Sequence, residues 1–231
     1  MPSDKKGRGR PKIHDDGAIL DSALRVFAIH GYEGMSMRSL NQELGLSHGT
    51  INQRFGTKEQ LYLEAVDHGF RGLLHDLNDI IAKEDMPDDP LEEVRVRLRS
   101  FLLASSLRPH LNRLINNEGV DRSPMLDHIF ASYIEPGMRA TRRLLRQLAE
   151  QGVVHPLTDR SLLFLLANGA GSAFSLPGLA KKFDRSDGAI DTWAYCDEMS
   201  SFIVNGLLVH PARTAQRPAR TAKRSAKRSS T

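Results

Sequence analysis

The stretch "SHGTINQRF", Ser47 to Phe55, gathers His48, Thr50, Asn52, Gln53 and Arg54 into one short run of hydrogen-bonding side chains. Asn and Gln amides can each bond adenine in two places, a guanidinium can do the same with guanine, and the Thr methyl can touch a thymine methyl. So many polar groups on one helix make a poor core element and a suitable surface for a major groove. Ser47 stands where it would cap that helix, whose first free N–H groups would then seat a phosphate.

Such side chains need a scaffold, and the flanking sequence predicts one. "DDGAILDSALRVFAIHGYEG" spaces Ile19, Leu20, Ala23, Leu24, Phe27 and Ala28 as one apolar face of a helix, with Asp15 and Asp16 at its start and Gly31 as its stop. "SMRSLNQEL" predicts a short second helix capped by Ser36. Gly45 can take the positive φ of a tight turn before the Ser47 run begins. Leu40, Leu44, Leu46 and Ile51 are the apolar knobs that would pack the two short helices on the first, a helix-turn-helix.

Downstream, Thr57 and Gln60 have capping-box spacing ahead of a long helix with Leu61, Ala65, Phe70, Leu73, Leu77 and Ile80. Asp89, Pro90 and Glu92 mark a further helix start. Helices are expected over about 89–107, 109–118, 124–151, 158–180 and 189–208, with neither β alternation nor solenoid repeats. The predicted fold is all-α. A basic arm (1–14) precedes a three-helix helix-turn-helix domain (15–56), a larger helical domain (57–209) and a disordered basic tail (210–231).

Residues 17–64 resemble the N-terminal domain of TetR-family transcriptional regulators. The resemblance rests on the apolar first helix, the turn Gly31, Tyr32, Gly34, and the start Gly49, Thr50, Ile51 of the recognition helix. It continues through Phe55, Thr57, Lys58, Glu59 and Leu61 at the entry to the fourth helix. It implies a sequence-specific DNA-binding regulator: a homodimer on a palindromic operator in double-stranded DNA, acting as a repressor released by a small, apolar effector. In that frame Ser36, Arg38, Ser47 and Lys58 would hold phosphates, while His48, Thr50, Asn52, Gln53 and Arg54 would face bases. Three positions depart from the family's usual pattern. Asn52 replaces an aromatic, Arg54 replaces His or Tyr, and Asn41 replaces a small alanine at the crossing of the two short helices. The first two shift the expected operator preference, and the third needs a hydrogen-bond partner or an outward orientation.

"RGRP", Arg8 to Pro11, resembles an AT-hook core, so Arg8 and Arg10 are expected in a minor groove beside the site read by the helix. The overall charge of +4 is unevenly spread. Residues 1–12 hold five bases against one acid and residues 210–231 hold seven bases and no acid, so the body between them is net acidic. Basic ends around an acidic body suit a polyanion partner. The rival reading is an architectural DNA-binding protein whose tails bind phosphate without sequence choice.

In the helical body the resemblance implies an effector pocket, for which Leu77, Phe101, His110, Asn116, Phe130, Tyr133, Asn168 and Phe174 are the candidates. The segment 158–180, with "ANGAGSA", and "WAYCDEMSSFIVNGLL" could build a four-helix dimer interface. No cofactor, metal site or catalytic residue is expected: the nine histidines include neither His-Glu-x-x-His nor the Glu-x-x-His of di-iron bundles. The single cysteine, Cys196, fits a reducing cytoplasm. Ser161–Ala180 is free of charge over 20 residues, but its serines, Asn168 and Pro177 point to a deeply buried helix rather than a membrane span.

Overall fold

The computed structural model describes residues 15–120 and 123–210. Arg8, Arg10 and the rest of the arm, and the tail from 211, lie outside the described residues. Among the described residues the regular elements are all helices, joined by turns and loops, and one antiparallel bridge pairs Val154 with Leu208.

Local chemistry starts the early helices where the sequence predicts. Asp15 accepts the Ala18 N–H at 2.7 Å to open α1 (Asp16–Gly34), which kinks at Gly31. Ser36 accepts the Ser39 N–H to open α2 (Met37–Glu43). A turn with Gly45 at φ 63° leads to α3 (Thr50–Phe55). Thr57 and Gln60 form the reciprocal capping box of α4 (Lys58–Lys83), and Asp89 with Pro90 opens α5 (Pro90–Leu107).

The body continues with α6 (Pro109–Glu118) and α7 (Pro124–Ile129). Where one helix over 124–151 is expected, a π-helical turn at Phe130–Ile134 and the short α8 (Glu135–Gly137) intervene before α9 (Arg139–Glu150). The expected helix over 158–180 is likewise broken. It runs as α10 (Asp159–Phe164), a π-helical segment Leu165–Ala170, α11 (Ser172–Ser175) and, past Pro177, α12 (Pro177–Ala180). A short α13 (Asp184–Asp187) precedes α14 (Thr192–Leu207).

Two apolar cores organise these helices. The first joins Ile19, Phe27, Leu40 and Ile51 of α1–α3 to Leu61 and Val66 of α4, and also to Leu111 and Leu114 of α6. The second gathers Val94, Leu98 and Leu102 of α5 with Leu145 and Leu148 of α9, Leu166, and Cys196 and Val204 of α14. Helix α4 thus spans from the first core into the body, and α6 reaches back to complete the first core. Side chains reinforce that junction: Asn117 Nδ2 donates to the Ala28 carbonyl of α1 at 3.0 Å, and the Tyr62 hydroxyl of α4 donates to Glu118.

The uncharged run 161–180 is not a deeply buried helix. Leu162, Leu166 and Ala170 are buried, but Phe164 is 57% exposed, and Leu165, Leu176 and Leu179 also face outward. Among the described residues no helix is long and apolar enough to cross a membrane.

Candidate nucleic-acid interface and interior cavity

Helix α3 is anchored by its two apolar residues, Ile51 and Phe55, both buried. Periodicity then turns Asn52, Gln53 and Arg54 outward, and His48 on the preceding turn is exposed beside them. Thr50 is half-buried at the helix start. The helix begins at Gly49, in the left-handed region at φ 86°, a conformation a residue with a Cβ adopts at a cost. Ser47 therefore does not cap it. The Ser47 hydroxyl meets the Thr50 hydroxyl at 2.6 Å, and the Ser47 carbonyl accepts the Thr50 N–H at 3.1 Å. One turn of backbone ahead of the helix replaces the side-chain cap.

Asn41 resolves the crossing of the two short helices. It is buried, donates from Nδ2 to the Met37 carbonyl at 2.8 Å and accepts the Ile51 N–H on Oδ1 at 3.2 Å. Both ends of the amide are used, so α2 and the first turn of α3 are locked in register. An alanine at that position would leave the buried Ile51 N–H without this partner.

Arg54 forms an ion pair with Asp16, the first residue of α1, and its guanidinium lies 6.0 Å from the Phe55 ring centroid. The acid shares the surface on which Arg54 would meet DNA, a link between positions far apart in sequence that no local pattern reveals. Lys58 sits half-buried at the start of α4, its ammonium 4.4 Å from the Tyr32 ring centroid. Tyr32 in turn packs on Tyr62 and Phe27. Ser36 and Arg38 are exposed at the start of α2, with the Ser36 hydroxyl engaged in its cap. The exposed polar residues of α2 and α3 and the Lys58 end of α4 thus belong to one packed helix-turn-helix unit.

This geometry agrees with the comparisons. Residues 19–65 match the model of the family "Bacterial regulatory proteins, tetR family". The chain carries the DNA-binding domain of the TetR family. The HTH-type transcriptional repressor ComR of Escherichia coli (strain K12) is 41% identical over 63 residues, which are 27% of this chain and 30% of ComR. The repressor AcnR of Corynebacterium glutamicum is 51% identical over 45 residues, 20% of this chain and 24% of AcnR. The chain thus spans roughly a third or less of the curated relatives it matches first. Beyond that domain the likeness is one of fold. A putative fatty acid metabolism regulator of Clostridium perfringens superposes with a TM-score of 0.62 at 20% identity, over 84% of this chain and all of that one. HlyIIR, a hemolysin II transcriptional regulator, gives 0.59 at 22% identity, over 83% and 96%.

Outside the TetR-family domain, α4–α6, α8–α11 and the π-helical turns enclose a cavity of about 150 Å³. Leu77, Phe101, Tyr133 and Phe174 line it. His110, Asn116, Phe130 and Asn168 do not: Asn116, Phe130 and Asn168 face outward, and His110 lines a separate crevice with Asp21, Arg25 and Asp76. There burial and the nearby Arg25 and Arg113 push the His110 imidazole below its ordinary pKa. The apolar wall includes Phe70, Leu73, Leu98, Leu111, Ile115 and Leu166.

Polar groups on the wall are few and mostly committed. Tyr133 turns its hydroxyl to Asp67 at 2.7 Å, and burial and that carboxylate push its pKa up to about 12, so it stays a donor to Asp67. Asn112 donates both amide protons, to the Ala167 carbonyl at 2.7 Å and to the Ser175 hydroxyl at 3.1 Å, while its Oδ1 is buried without a partner. Arg97 bonds Glu93 through Nε and Nη2, and Arg108 bonds Asp76 through Nε at 2.6 Å. Arg108 and Asn112 carry no motif in the sequence, because each gains its place only from partners on distant helices.

Proposed function

We propose that the chain is a sequence-specific DNA-binding transcriptional regulator of the TetR type, acting as a homodimer and released from its operator by a small molecule. The observation that carries the reading is the outward pair Asn52 and Gln53 on a helix whose register is locked by Asn41, with His48 exposed on the turn before it. A rigid helix presenting donors and acceptors at fixed spacing can distinguish base pairs in a major groove, whereas a loose one reads mainly phosphate. Ser36, Arg38, Ser47 and Lys58 are assigned to phosphates, with Thr50 and Arg54 beside the base-reading row. Arg8 and Arg10 are assigned to an adjacent minor groove on sequence grounds alone.

The apolar surface left outside the two cores supports the dimer. Phe164, Leu165, Asn168 and Gly169 share the exposed face of α10 and its π-helical continuation, and Phe202 stands 62% exposed on the outward side of α14. The two elements are neighbours, joined by the Tyr195 hydroxyl donating to the Ala170 carbonyl at 2.9 Å. Paired across a two-fold axis, such faces would bury these rings and set two recognition helices one turn of DNA apart. The cavity supports the effector, and α4 and α6 connect it to the first core.

Capture of genomic fragments by the purified chain at physiological salt, followed by sequencing, tests the reading. The expected outcome is a sharp inverted repeat at few sites. Diffuse recovery of A/T-rich fragments would instead favour an architectural role for the basic ends and overturn this one.

A further inference from the structure

The charged residues on the cavity wall are Arg97 and Arg108, and no acid lines it. Their partners Glu93 and Asp76 are outside that wall, Asp76 in the polar crevice on the other side of Arg108. Arg108 uses only Nε on Asp76, and among the described residues its Nη1 and Nη2 make no hydrogen bond. The guanidinium lies flat against Gly72 of α4, where a Cβ would come within 2.4 Å of Arg108 Cζ and Nη1. A guanidinium stays charged at all relevant pH, and its paired N–H groups match the two oxygens of a carboxylate.

We propose that the cavity takes a small apolar molecule bearing one carboxylate, with the carboxylate held by Arg108. The volume suits a compact body, since an apolar cavity of this order admits a benzene-sized ring. A cation is excluded by the two arginines, and a purely apolar molecule leaves the free Nη donors unused. This deepens the reading of the chain as a ligand-released regulator and rests on it only for its consequence. A carboxylate on Arg108 competes with Asp76 for the same guanidinium, and so loosens the bond between α4 and the α5–α6 junction. Helix α4 begins at Lys58, in the DNA-binding unit.

Calorimetric titration of the full chain with benzoate, benzyl alcohol and benzylamine tests the assignment. Benzoate is expected to bind at least about tenfold more tightly than either. Equal or tighter binding of benzyl alcohol or benzylamine would overturn it. Arg108→Gln is expected to erase the preference. Gly72→Ala keeps the charge but displaces the guanidinium, and favours the helix by its own propensity, so it stays folded. It is expected to weaken benzoate about tenfold while sparing benzyl alcohol. Benzoate binding unmoved by both changes would place the head elsewhere and sink the proposal. Release of operator DNA is a separate readout. Arg108-dependent benzoate binding without release keeps this inference and removes the regulator reading. Release by benzyl alcohol or benzylamine, with no carboxylate preference, does the reverse.

Discussion

Asn41 Oδ1 accepts the backbone N–H of Ile51 at 3.2 Å, so a side chain on α2 holds the first turn of the recognition helix. Asn41→Ala removes both of its bonds and leaves the Ile51 N–H and the Met37 carbonyl to find others. A buried polar group left unpaired costs about 1–3 kcal/mol. Urea unfolding of the variant should show a loss in that range, accompanied by weaker and less selective operator binding. A variant with unchanged midpoint and unchanged affinity would show that α3 needs no such lock.

Asp16 pairs with Arg54 on the face assigned to DNA, which sets two substitutions against each other. Asp16→Asn removes a negative charge from beside the guanidinium, so DNA affinity should rise and the salt dependence steepen by about one counterion. Arg54→Ala should weaken binding and flatten the slope by a similar amount. Operator titrations over a range of salt concentrations decide between the outcomes. Weaker binding in Asp16→Asn would mean that the acid positions Arg54 rather than competing with the backbone phosphates.

Phe202, more than half exposed on α14, is the most direct probe of the assembly. Placing a charge there, as Phe202→Glu, would set like charges across a two-fold axis in a desolvated surface. Sedimentation should then show a monomer, and half-site affinity should replace cooperative binding of the inverted repeat. A variant that still sediments as a dimer would move the interface to another face.

Cys196 of α14 is fully buried within the second core, and burial pushes its thiol from 9.0 up to about 12. The folded state keeps the proton that the unfolded chain loses above 9.0, so this contribution is intact below that pH and declines between 9.0 and about 12. The slope is about 1.4 kcal/mol per pH unit. Relative to Cys196→Ala, the wild-type chain should therefore lose about 1 kcal/mol between about pH 8 and about pH 10. Denaturant midpoints of the two proteins at both pH values measure it. A difference that stays constant with pH would mean that the thiol ionises equally in both states.

Much of the DNA-binding unit was legible from the sequence, because its determinants are local. Caps at Asp15, Ser36, Thr57 and Asp89 act within three residues of themselves, and an apolar stripe such as Ile19, Ala23 and Phe27 declares a helix face at any position in a fold. The polar row of α3 follows from the same periodicity once Ile51 and Phe55 are buried. Only the tertiary structure decided what those elements do to one another. It placed an amide under Ile51, an acid beside Arg54 and an exposed apolar face on the uncharged run that composition alone makes a buried helix. It also divided the eight pocket candidates, sending Leu77, Phe101, Tyr133 and Phe174 to the cavity wall and the others elsewhere. A phenylalanine on a wall and one facing outward have the same local signature. Their difference lies in which distant helix, or which open solvent, stands opposite, and that is fixed by the packing of the whole chain.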